Sequence, residues 1–94
     1  MHGQQIAILL RNPHRLLDAR RCGQTLLEYG AAVSFYCLCR ETDPETNWNI
    51  QPLLTTCAPC FTDSSDLAAQ YNLACLPFSS LAQEIESCDW VIPI

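Results

Sequence analysis

The 94-residue sequence predicts an α/β protein: a small three-layer domain, a mostly parallel sheet of about five strands flanked by helices. Three observations carry that reading. Short, nearly continuous apolar runs at residues 5–10 and 31–39 suit strands covered on both faces. The stretch between them switches to helical period, and strand–helix–strand in that order reads as a right-handed parallel crossover. The 49% hydrophobic content, with three glycines and six prolines, belongs to a folded globule rather than a disordered tail.

The elements run in order along the chain. Gln5-Ile6-Ala7-Ile8-Leu9-Leu10 is the first strand, and Arg11-Asn12-Pro13-His14 breaks it. From Leu16 to Tyr29 an amphipathic helix places Ala19, Cys22, Leu26 and Tyr29 on one side, and Gly30 stops it. Val33, Phe35 and Tyr36 mark residues 31–39 as the second strand. Residues 41–49 are acidic, contain Pro44 and read as a surface loop. Residues 50–56 read as the third strand.

Asp63-Ser64-Ser65-Asp66 looks like a helix start, followed by a short helix over 67–71 that Asn72 can end. Residues 74–76 suit a short strand closed by Pro77. Ser79 or Ser80 can cap a helix through Glu86, with Leu81, Ala82 and Ile85 inward. Residues 90–94 form the last strand, where Pro93 fits only near an edge or strand end. No repeat, low-complexity tract or linker interrupts the chain, so residues 1–94 read as one domain.

Composition excludes several chemistries. All five basic residues are arginines, so Schiff-base lysine chemistry and a phosphate-loop lysine are ruled out. Three glycines cannot build a glycine-rich phosphate cradle. A net charge of −5 disfavours direct binding to nucleic acid. Seven cysteines, an odd number, follow a polar start with no signal peptide, and no run approaches the roughly 20 apolar residues that span a bilayer. The expectation is a cytoplasmic protein whose thiols are mostly buried, Cys22, Cys75 and Cys88 among them. A domain this small buries only roughly 60–65% of its unfolded surface, so self-association is expected too.

The chemistry centres on Cys57-Ala58-Pro59-Cys60. If residues 50–56 are a strand, Cys57 stands at its carboxyl end, the edge where open α/β sheets gather ligands. Two thiols at that spacing can carry sulfur, form a disulfide or bind a metal. A following helix start would favour a thiolate at Cys57, although Asp63 and Asp66 oppose one. His14 or Arg11, ending the first strand, is expected at the same edge.

The order of elements and several residues resemble the DsrE-like sulfurtransferase family of DsrE, DsrF and TusD types. The resemblance runs over nearly the whole chain: Ile6 to Leu10; Glu28-Tyr29-Gly30 before Val33-Ser34-Phe35-Tyr36; Cys57 and Cys60; and Ser80 to Ile85 leading to Asp89-Trp90-Val91-Ile92. It implies a sulfur-relay protein, a persulfide on Cys57 passed to a partner protein, and Cys60 as a resolving or auxiliary thiol. It further implies trimers, hexamers or mixed oligomers, donor and acceptor proteins as partners, and no organic cofactor. The chain departs from the family where Phe61-Thr62-Asp63-Ser64 stands in place of the Arg-Gly many members carry, and in a shorter loop over 40–49.

Three other readings compete. The Cys57/Cys60 spacing is that of a thioredoxin-like dithiol oxidoreductase. Cys37, Cys39, Cys57 and Cys60 could form a zinc or iron–sulfur site, but the first pair lacks the tight knuckle such sites prefer; no metal is expected. The last is a non-catalytic subunit of a sulfur-relay complex. His2 and His14 read as solvated side chains, and Trp48 and Trp90 as packing or subunit contacts.

Overall fold

The computed structural model describes residues 4–39 and 48–94. Most of the expected acidic loop, with Glu41, Asp43 and Glu45, lies outside the described residues, as does His2. Within them the strands are β1 (Gln5–Leu10), β2 (Ala32–Cys37), β3 (Cys60–Thr62), β4 (Ala74–Cys75) and β5 (Trp90–Pro93). The helices are α1 (Leu16–Glu28), α2 (Gln51–Leu54), α3 (Ser65–Tyr71) and α4 (Phe78–Glu86).

The five strands form one sheet in the order β4-β3-β2-β1-β5, every neighbouring pair parallel. The expected α/β layering with a five-strand parallel sheet is what the chain adopts. β1 runs between β2 and β5, with Ile8 opposite Phe35 on one side and Ile92 on the other. That position explains its apolar run: Ile6, Ala7, Ile8 and Leu10 are all buried.

Strand alternation divides the core. Ile6, Ile8, Leu10, Val33, Phe35, Cys37 and Cys60 face α1, α2 and α3, which contribute Leu16, Ala19, Leu53 and Leu67. Ala7 and Tyr36 face the other way, where α4 brings Leu81 and Ile85. Tyr36 stacks on Phe61 there, with ring centroids 5.3 Å apart.

The ends of the elements obey local chemistry. Asn12 accepts a bond from the His14 N–H and starts a 3-10 turn that leads into α1. Gly30 follows α1 at φ 86, the left-handed region that glycine enters without cost. Ser64 caps α3 through the Leu67 N–H, and Asn72 ends it at φ 55, as expected for that residue. Pro93 is the last residue of an edge strand.

The sequence reading needs correction at Tyr29, which is 85% exposed instead of sharing the buried helix face. It falls beyond the last turn of α1, whose inward positions are Leu16, Ala19 and Gly23. Of the tryptophans, Trp48 is buried and Trp90 is 58% exposed.

Candidate functional site

The largest correction concerns residues 50–56. They contain helix α2, not a third strand. Ile50 and Leu53 are both fully buried, a spacing of three that suits a helical turn and not alternation. Pro52 lies in the first turn, where its missing N–H costs nothing. Thr55 and Thr56 then close the turn, donating their hydroxyls to the carbonyls of Pro52 at 2.8 Å and Leu53 at 2.7 Å. The third strand begins only at Cys60.

Cys57 therefore precedes a strand instead of following one, and stands at the amino edge of the sheet. No helix start follows it directly; α3 begins beyond β3, at the opposite edge. Arg11 and His14 follow β1 at that opposite edge as well, so they do not share an edge with Cys57.

At the amino edge Cys57 is exposed and lines an open hollow of about 270 Å³. Gln24, Leu27 and Glu28, the last turn of α1, form one wall; Thr55, Thr56 and Cys57 form the other. A thiol in this position can meet a reagent or partner without any rearrangement of the core.

Cys60 has a different environment. As the first residue of β3 it points into the α1 face, 9% exposed, its thiol making a long contact of 3.9 Å to the Ala58 carbonyl. Burial pushes its pKa from 9.0 up to about 11. Cys37, fully buried and within electrostatic reach of Cys60 and Cys39, is pushed up further, burial again dominating. Such thiols stay protonated at neutral pH and are weak nucleophiles.

The carboxyl edge holds a second group of side chains. The fully buried Thr62 donates to the Cys37 carbonyl at 3.0 Å and accepts from the Ser64 N–H at 3.1 Å. Asp63 accepts the Cys39 N–H at 2.8 Å. The Cys39 sulfur lies 3.7 Å from the Thr62 hydroxyl, and burial, with Asp63 adding to it against that contact, pushes its pKa up to about 11.

The chain leaves β3 for α3 on one face and β4 for α4 on the other, so the connections diverge between these two strands. Ligands of open α/β sheets favour such a divergence at the carboxyl edge. Here it is flanked by Thr62, Asp63 and Ser64 and by Cys75. Cys75 is exposed, contrary to the expectation of a buried small hydrophobe, because β4 is an edge strand of two residues. The signal for this group was available in Phe61-Thr62 before Asp63-Ser64: two β-formers, then a cap.

The proposed four-cysteine metal set is split. Cys37 ends β2 and Cys39 lies two residues beyond it toward the carboxyl edge, whereas Cys57 stands exposed three residues before β3 at the amino edge, with the buried Cys60 between. Among the described residues no group of three or more His, Cys, Asp or Glu side chains converges to hold a metal ion. The thioredoxin-type reading meets a similar difference: Cys57-Ala58-Pro59-Cys60 leads into a strand, not a helix. Among the described residues no helix is long and apolar enough to cross a membrane. Compared with protein-family models, curated proteins and solved structures, the chain matches none.

Proposed function

We propose that the protein is a sulfur-relay carrier: Cys57 receives sulfane sulfur from a donor persulfide and passes it to an acceptor protein. The observation that carries this reading is the exposure of Cys57 beside an open hollow. Loading is an exchange at sulfur. The Cys57 thiolate attacks the outer sulfur of the donor, the donor S–S bond breaks, and the donor leaves as a thiolate that takes up the proton. One S–S bond replaces another, so no oxidant is needed. Delivery is the same exchange with the acceptor as nucleophile.

Cys60 has two roles in this scheme. In the resting protein it packs at the head of β3; as a resolving thiol it attacks the inner sulfur, forming the Cys57–Cys60 disulfide and expelling the outer sulfur as hydrosulfide. That second role requires the first residue of β3 to leave the core. Donor and acceptor are proteins in a reducing cytoplasm, consistent with seven cysteines and no disulfide among them. Assembly with further copies or related subunits is supported by the open edge of β5, where Trp90 and Val91 are 58% and 42% exposed.

Intact-protein mass spectrometry after incubation with a persulfide donor tests the proposal. The expected result is a gain of one sulfur atom, mapped to Cys57 and lost in Cys57→Ser with oligomeric state unchanged. A Cys57→Ser protein that still loads the same sulfur removes Cys57 from the relay. A second reading rests on the exposure of Cys75 at the carboxyl edge. Peptide mapping that places the sulfur there favours it. A wild-type chain that never loads, yet still assembles, is a non-catalytic subunit.

A further inference from the structure

We infer that the Cys57 site selects donor proteins whose persulfide is flanked by basic residues over those flanked by acidic ones, with cysteamine persulfide and glutathione persulfide as small cationic and anionic probes of the two classes. This rests on the proposed carrier role and names the donor class it would use. Three features of the hollow converge. Among the described residues that line it, Glu28 has the one formal charge. The same wall is the carboxyl-terminal turn of the 13-residue α1, the negative end of the helix dipole, where the Thr25, Leu26 and Leu27 carbonyls are already bonded to the N–H groups of Tyr29, Gly30 and Ala31. No basic residue in that last turn offsets it. A volume of about 270 Å³ admits a small thiol and its ammonium group, with Leu27 against the carbon chain and Gln24, Thr55 and Thr56 as polar contacts.

The exchange itself moves no net charge to the protein: Cys57 thiol plus donor persulfide gives Cys57 persulfide plus donor thiol. Selectivity therefore arises as the donor approaches. One carboxylate and a helix end, partly solvated, change the relative rates of oppositely charged reagents by roughly twofold to fivefold at low ionic strength.

The test uses the whole protein and methanethiosulfonate reagents of equal size and opposite charge, with modification at each cysteine read by peptide mapping. Cys75, also exposed, corrects for the overall charge of −5. The expected result is a cationic-to-anionic rate ratio at Cys57 that exceeds the ratio at Cys75 by twofold to fivefold. It should fall by at least half in Glu28→Gln and in high salt. Equal ratios at the two cysteines, or a ratio that Glu28→Gln leaves unchanged, overturn the inference. Cysteamine persulfide and glutathione persulfide then separate the two claims. Sulfur loading on Cys57 without charge preference refutes the selectivity alone. Charge preference toward the reagents with no loading from either persulfide, or from a protein persulfide whose cysteine is flanked by arginine and lysine, refutes the carrier role.

Discussion

Gly23 is a point where helix propensity and core packing pull in opposite directions, and the packing effect is expected to win. Glycine inside α1 costs about 1 kcal/mol relative to alanine, so on propensity alone Gly23→Ala should stabilise the protein. A Cβ there would instead overlap the tip of the Phe35 ring. Phe35 is fully buried in β2, between β1 and β3, and has no solvent into which to swing. Overpacking of this kind costs about 1–3 kcal/mol, leaving a net loss of about 0–2 kcal/mol once the propensity gain is subtracted. Urea unfolding followed by circular dichroism measures it. Phe35→Leu supplies the control: with the ring gone, Gly23→Ala should turn neutral or stabilising, a coupling of about 1–3 kcal/mol between the two sites. If Gly23→Ala stabilises the wild-type chain by the full propensity amount, the close approach of α1 to β2 is not limiting and the reasoning fails.

Two further outcomes concern the buried thiols and the α3 cap. The Cys60 and Cys39 thiols move from 9.0 to about 11 on folding, and Cys37 moves the same way. Between those values the unfolded chain has lost protons that the folded chain keeps, so stability is whole below pH 9 and falls as pH rises toward 11. Each thiol contributes at most about 1.4 kcal/mol per pH unit, and the half-buried Cys39 contributes less; denaturant titrations from pH 8 to 10.5 should show the decline, shallower in Cys60→Val. Ser64→Ala removes the cap on the Leu67 N–H, 3.2 Å away, and should cost about 1 kcal/mol, with Ser64→Asp restoring most of it in the same urea assay.

The fold was legible wherever one physical pattern ran for a whole element. After Gln5 the run Ile6-Ala7-Ile8-Leu9-Leu10 has no polar side to offer water, and that alone placed it inside a parallel sheet. Gly30 and Asn72 marked the ends of α1 and α3 because few residues accept a positive φ. The reading failed over 50–62, where elements are only a few residues long and several patterns overlap. Ile50, Leu53 and Leu54 fit either a buried strand or one helical turn, and Pro52 was the residue that should have decided between them. Taking the helix for a strand moved β3 several residues toward the amino terminus. That displacement put Cys57 at the wrong edge of the sheet, although its prominence as a thiol did not depend on the error.

The element next after a Cys-x-x-Cys segment governs the chemistry open to its second thiol. Before a helix, both sulfurs sit near amide N–H groups that favour thiolates, and the pair can cycle together. Before a strand, the second cysteine is the first residue of a ladder and its side chain is fixed by alternation. Cys60 pairs with Phe35, its side chain falls on the α1 face, and burial holds it as a thiol. Cys57 lies outside the ladder, so exposure and reactivity can be set there without cost to the core. The two cysteines are close in sequence yet belong to different regimes, one packed and one presented to solvent. Chemistry that needs a single thiol suits this arrangement with the fold at rest, whereas chemistry that needs both must first pull the end of β3 away from β2.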